Sequence, residues 1–251
     1  MNDYRKKEIE GAMQHSSLDG TSTIVRHPGP PLILLGALFM ALFIGSLVAG
    51  AVLTGGAPYP RPFDDADAAR YFAEHAFATR VMAFLQFGAA IPLGLFTATL
   101  VSRLRFLGIE AAGVTIALFG GFAASFFLAA SALTQWVLAA PGVADVTTDA
   151  RMLQLFAFAT GGPGHVVPLG LLLAGGSITG GLTRKIPRWL MWFGVVIAVF
   201  AELSTLTLIL EPAVFLLPLA RFPAFIWILC IAATLPAQRS RTGGADSRTT
   251  S

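Results

Sequence analysis

Charged residues in this chain gather in short clusters, and long uncharged runs separate the clusters. No charge occurs from Pro28 to Pro60, from Val81 to Ser102, from Ala111 to Ala144 or from Met152 to Thr183. Two further apolar runs, from Trp189 to Leu210 and from Pro212 to Ala237, carry one charge each, Glu202 and Arg221. A hydrocarbon core about 30 Å thick is crossed by roughly 20 apolar residues of helix, and all six runs reach that length. The pattern predicts an all-α, polytopic membrane bundle of six transmembrane helices. Its spans fall at residues 32–54, 79–102, 111–139, 152–182, 189–210 and 213–235.

Composition agrees with that reading. Hydrophobic residues are 55% and charged residues 12% of the chain, and mean hydropathy is +0.71, too apolar for a soluble domain of this size. One membrane domain, residues 32–236, therefore takes up most of the sequence. Residues 1–31 read as a cytoplasmic tail, with Pro28, Pro30 and Pro31 stopping any helix before the membrane. Residues 237–251, rich in Ser, Thr, Gly and Arg, read as a disordered cytoplasmic tail. The N-terminus does not read as a signal peptide, because about thirty polar residues precede an apolar run too long for an h-region.

The net charge of +3 and pI near 9.4 do not point to a nucleic-acid partner, because the basic residues sit in short segments beside the spans. Arg5, Lys6, Lys7 and Arg26 precede the first span, Arg103 and Arg105 follow the second, and Arg184, Lys185 and Arg188 follow the fourth. Arg239, Arg241 and Arg248 follow the sixth, whereas the alternate segments hold only Arg61, Arg70, Arg80 and Arg151. By the positive-inside rule both termini are expected in the cytoplasm. The single Cys230 lies within the last span and excludes a disulfide framework.

The expected exterior segment, residues 55–79, is more complex than a plain loop. Asp64, Asp65 and Asp67 are placed to cap a helix that starts near Ala68 and carries Tyr71, Phe72 and Phe77. An interfacial helix leading into the second span fits this mixture, and a lid over an outward-facing site is the weaker alternative. In the third span Gly121, Ser125 and Ala129 recur at every fourth position, a stripe suited to close helix contact. Ser46 and Gly50 form a shorter version in the first. Ile91-Pro92-Leu93-Gly94-Leu95 also matches Val167-Pro168-Leu169-Gly170-Leu171 at an offset of 76 residues. That match is consistent either with a duplicated hairpin or with chance in apolar sequence.

Functional chemistry is sought among the polar residues inside the spans. A charge at the bilayer centre costs roughly 2.5–3.5 kcal/mol on insertion scales, so it is expected to face the bundle interior with a partner. Glu202 lies nine residues before Glu211 at the outer turn and Arg221 ten after it. Matching depth on adjacent antiparallel helices predicts an ion pair between Glu202 and Arg221, with His165 in the same layer. His165 belongs to the run Gly161-Gly162-Pro163-Gly164-His165-Val166-Val167-Pro168, which is incompatible with regular helix. Broken backbone at membrane depth occurs where it is buried in protein or lines a cavity, and interrupted spans are a pointer to transporter sites. Gln86, Gln135 and Arg80 lie in the outer halves of their spans, so an outward-facing polar pocket would unite them with the three.

Structural readings stand beside these. A Glu–Arg pair can simply join two helices, and a lone intramembrane His is more often a hydrogen-bonded core residue than a metal or haem ligand. No metal site and no cofactor is expected. The glycine run lacks the Lys and Ser/Thr of a phosphate loop, and neither His-Glu-x-x-His nor Gly-x-Ser-x-Gly is present. No catalytic residue is therefore assigned, and a hydrolase pairing His165 with a serine is the weakest reading.

The stretch from Arg80 to Gly94, together with Phe158 to His165 and Glu202 to Leu206, resembles uncharacterised bacterial multi-pass membrane proteins described as domains of unknown function. The resemblance covers most of residues 31–236 and implies a bacterial cytoplasmic membrane and six helices, without substrate, cofactor or catalytic residue. Two expectations follow. One is a protein that binds or transports a small solute or ion through a polar intramembrane site. The other is a non-catalytic accessory or sensory protein whose buried charges are structural, in a homo-oligomer or with a membrane partner.

Overall fold

The computed structural model describes residues 23–61, 63 and 68–241. Six helical segments in it are long and apolar enough to cross a membrane: Leu32–Leu53, Ala76–Phe106, Ala112–Leu138, Thr147–Leu182, Arg188–Leu208 and Glu211–Thr234. They correspond one to one with the six expected spans and mark a multi-pass membrane protein. Their outer surfaces are apolar: Phe84, Phe119 and Phe126 are exposed on the second and third spans, as hydrocarbon-facing side chains should be. The core between the helices holds Phe39, Leu93, Phe96, Leu128, Leu172 and Trp227, all buried.

Two boundaries differ from expectation for local reasons. The second span starts at Ala76 and runs unbroken through Pro92 to Phe106, the longest continuous helix among the described residues. It stops where Gly108 takes φ +83 and the Ile109 N–H closes on the Leu104 carbonyl at 3.1 Å, a left-handed cap that glycine allows without a Cβ clash. Ahead of it, a short helix, Ala68–Glu74, forms where an interfacial helix was expected. The proposed cap by Asp64, Asp65 and Asp67 lies outside the described residues, as do tail residues 1–22 and 242–251.

Residues flanking the bundle are not structureless throughout. Thr23–Arg26 and Gln238–Arg241 pair as a two-stranded antiparallel ribbon, Thr23 opposite Arg241 and Arg26 opposite Gln238. The His27 N–H extends the pairing to the Ala237 carbonyl at 2.9 Å. Both strands lie in segments read from the sequence as tails. The β-branched run Thr-Ile-Val favours the extended backbone.

Small residues set the helix contacts. Gly121 packs directly on Thr97, and the Ser125 hydroxyl donates to the Ala90 carbonyl at 2.6 Å, so the expected stripe faces the second span. The other side of the third span meets the fourth backbone to backbone: a Cβ on Gly120 would lie 2.5 Å from the Pro168 carbonyl oxygen and 2.6 Å from the Leu172 nitrogen. Gly50 in the first span abuts Met82, and Ser46 turns its hydroxyl onto the Phe43 carbonyl at 2.7 Å.

The fourth span is interrupted where its sequence demands. An α-helix, Thr147–Ala159, gives way to a π-type turn, Thr160–Gly164, in which Gly162 adopts φ −83, ψ −107, and helix resumes at His165–Leu182. Pro163 has no N–H to offer the ladder, and the carbonyls freed around it need other donors. Side chains also reach carbonyls of this segment, of which Phe156 O and Ala157 O already accept from the Thr160 N–H. Thr160 Oγ1 donates to Phe156 O at 2.7 Å, Ser131 Oγ to Ala157 O at 2.8 Å, and Arg221 Nη2 to Gly161 O. The fifth and sixth spans loosen likewise: 3-10 turns, Ser204–Leu208 and Glu211–Phe215, flank their connection before helix resumes at Leu216–Thr234.

Candidate functional site

The break in the fourth span opens onto a cavity of about 460 Å³ enclosed by the first four spans and the sixth. Leu47, Met82, Leu128, Phe158 and Leu217 give it apolar walls, and Gln86, Ser131, Gln135, Gln154 and Arg221 place polar groups among them. Thr54, Tyr59 and Tyr71 line it where the first span leads into residues 55–74. Its other end is Arg221 beside Gly161, Gly162 and Phe43.

Each polar group is held in place by another element. Gln135 Nε2 donates to Gln86 Oε1 at 3.0 Å, joining the third and second spans inside the bundle. A buried amide must be paired to be tolerated there. Gln154 Nε2 reaches the Pro60 and Arg61 carbonyls at 3.3 and 3.2 Å and ties the loop after the first span to the fourth. Tyr59 and Tyr71 pack edge to face at 5.7 Å, and Tyr59 stands equally close to Phe72. Burial raises the Tyr71 phenol above its ordinary value, and its contact with the Thr54 hydroxyl offsets part of that rise.

Phe43 is the hinge of the arrangement. The Arg221 guanidinium lies 5.5 Å from its ring centroid, within cation–π range. The His165 ring stacks on the same Phe43 at 6.4 Å and 16°. His165 is fully buried and does not line the cavity. Its Nδ1 lies 2.9 Å from the Ala124 carbonyl oxygen. A carbonyl can only accept, so Nδ1 carries the proton, and Nε2 is a buried lone pair with no donor in reach. No serine hydroxyl engages that imidazole among the described residues.

Of the residues singled out from sequence, the cavity gathers Gln86, Gln135, Arg221, Gly161 and Gly162. Pro163, Gly164 and Pro168 shape the break without lining it. Three expectations require correction, and the first is His165, which stacks on Phe43 and does not line the cavity. Glu202 does not pair with Arg221: it is exposed on the outside of the fifth span, over Gly170, and Arg70–Glu74 is the one ion pair among the described residues. Equal depth put both charges at one level, but the helical phase of Glu202 turns it away from the bundle. Arg80 does not reach the cavity either. Its Nε and Nη2 donate to the Ala139 carbonyl at 3.1 and 2.9 Å, satisfying the C-terminal end of the third span.

Sequence reasoning missed Phe43, Ser131, Gln154, Tyr59 and Tyr71 as cavity residues. Gln154 satisfied the rule that selected Gln86 and Gln135, a polar side chain inside an uncharged run. Phe43, an apolar residue in an apolar span, gave no signal. No protein-family model, curated protein or solved structure matches the chain.

Proposed function

We propose that this chain is a bacterial cytoplasmic-membrane protein, both termini cytoplasmic, that takes a small solute into the cavity from the opposite side of the membrane. The observation that supports the reading is a space of about 460 Å³ within the bundle, with mostly apolar walls, a few polar groups and an arginine among its lining residues. Pockets of a few hundred cubic ångströms with mostly apolar walls and a few convergent polar groups are the usual form of small-molecule sites. The interrupted fourth span supplies the backbone irregularity that solute-handling membrane proteins use.

The test is a thermal-shift screen of the purified chain in nanodiscs against small metabolites, repeated on Ala51→Trp. Ala51 lines the cavity yet is exposed, so the bulky side chain fills space without entering the core. Hits that Ala51→Trp abolishes are expected. A silent screen, or hits indifferent to the filling, would contradict the reading.

Glu202 favours a second role. An exposed carboxylate within a span is costly in lipid, and a neighbouring membrane helix carrying a basic or hydrogen-bonding group would relieve it. On that accessory reading Glu202→Gln removes co-purification of the partner helix while leaving the solute screen unchanged.

A further inference from the structure

Among the described residues that line the cavity, Arg221 is the only one that carries a charge at neutral pH, and no Asp or Glu stands with it. A guanidinium keeps its proton at any accessible pH, and a charge inside a span is expensive unless something pairs with it. The protein pairs this one incompletely. Nη2 donates to Gly161 O, Nε is buried with no acceptor, and the Phe43 ring offers only its π face. The acid that the sequence offered at this depth, Glu202, points outward. Nearby, the Gln86–Gln135 amides add neutral polar groups, while Leu128 and Leu217 keep the walls apolar.

We propose that the solute of this cavity is a small organic anion. Its carboxylate or similar oxyanion sits against the Arg221 guanidinium and its apolar body against Leu128 and Leu217. The assignment rests on the reading of the cavity as a solute site and goes beyond it to the ligand's charge. A planar fork of N–H donors matches a two-oxygen anion. A cation would meet like charge, and a neutral solute would leave the guanidinium without a counter-ion.

Three probes of one shape and different charge test this: benzoate, benzamide and benzylamine, titrated against the full chain in phosphatidylcholine nanodiscs with melting temperature as readout. Benzoate is expected to bind tightest. Arg221→Gln, which keeps an amide donor for the Gly161 carbonyl, is expected to weaken benzoate at least about tenfold and to leave benzamide within about twofold. Gln86→Glu, which sets a carboxylate against the Arg221 charge, should remove the preference for benzoate over benzylamine. If benzamide or benzylamine binds as well as benzoate, or if Arg221→Gln leaves benzoate unchanged, the anion assignment falls while the cavity stands as a solute site. Should none of the three bind, both readings fall. Nanodiscs containing phosphatidylglycerol separate the two sources of an oxyanion. Unchanged benzoate affinity there supports a soluble anion, and competition would assign the guanidinium to a lipid headgroup and overturn it.

Discussion

Arg221 shows how one side chain can serve the backbone and the cavity at once. It replaces a lost helical donor at Gly161 and also sets the electrostatic sign of the space beside it. Its independence from Glu202 has a measurable consequence. Glu202→Gln should change unfolding stability by the same amount in wild type and in Arg221→Gln, to within about 0.5 kcal/mol, because sites without contact add to within that margin. A coupling above about 1 kcal/mol in the double-mutant cycle would restore the ion pair the structure lacks. Tyr71 gives a pH dependence. Its raised pKa means that the folded state holds the phenolic proton more tightly than the unfolded chain. Its contribution is therefore full below the ordinary tyrosine value, near 10, and is lost as pH climbs past it. In an ultraviolet phenolate titration Tyr71→Phe should remove a late-ionising component. An ordinary Tyr71 midpoint would contradict the enclosed geometry at the cavity mouth.

Among the elements, the third span is the post around which the bundle is assembled, because small residues line both sides of it. Gly120 has no room for a methyl group, since the obstruction is the backbone of the fourth span, whereas a Cβ on Gly88 would meet nothing nearer than a Leu42 methyl at 3.7 Å. Gly120→Ala should cost about 1–3 kcal/mol as overpacking or prevent folding. Gly88→Ala should be neutral or slightly stabilising, since a helix prefers Ala to Gly. Equal melting temperatures in nanodiscs would refute the close contact. The repeated pentapeptide also acquires a structural counterpart. A Cβ on Gly94 would contact Ser125, and one on Gly170 would contact Ala201, the second pair lying 76 residues beyond the first at both members. The second–third and fourth–fifth span hairpins thus share one contact at the same offset. The fourth span alone carries the break, because Gly161-Gly162-Pro163-Gly164 has no equivalent in the second, where Pro92 is accommodated within continuous helix.

For the molecule as a whole, the number of spans, their order and the break at Gly161–Gly164 were all legible in the sequence. Length of apolar run and the chemistry of Gly and Pro are one-dimensional signals. What escaped is rotation about the helix axis. Depth along a span is read by counting residues, and that count set Arg221 and Glu202 at one level. The face each presents depends on packing, which turned Glu202 outward and Arg80 onto the third span's terminal carbonyl. Phe43 was invisible for a related reason, since nothing in an apolar span marks which ring will meet both a guanidinium and an imidazole. The ribbon of Thr23–Arg26 with Gln238–Arg241 joins segments more than two hundred residues apart, a pairing that local composition cannot reveal.

The proposed solute reading requires the cavity leading to Arg221 to be wet and to be entered from the non-cytoplasmic side. It is tested most directly by labelling Gln86→Cys, in a Cys230→Ala background, with a membrane-impermeant thiol reagent applied to each side of the membrane in turn. Gln86 is buried against Gln135 and lines the cavity, whereas Phe119→Cys, on the apolar outer surface of the third span, is the dry control. Labelling of Gln86→Cys from the non-cytoplasmic side, with the control unreactive, is the predicted result. A position-86 thiol as inert as the control, or one reached only from the cytoplasm, would contradict it.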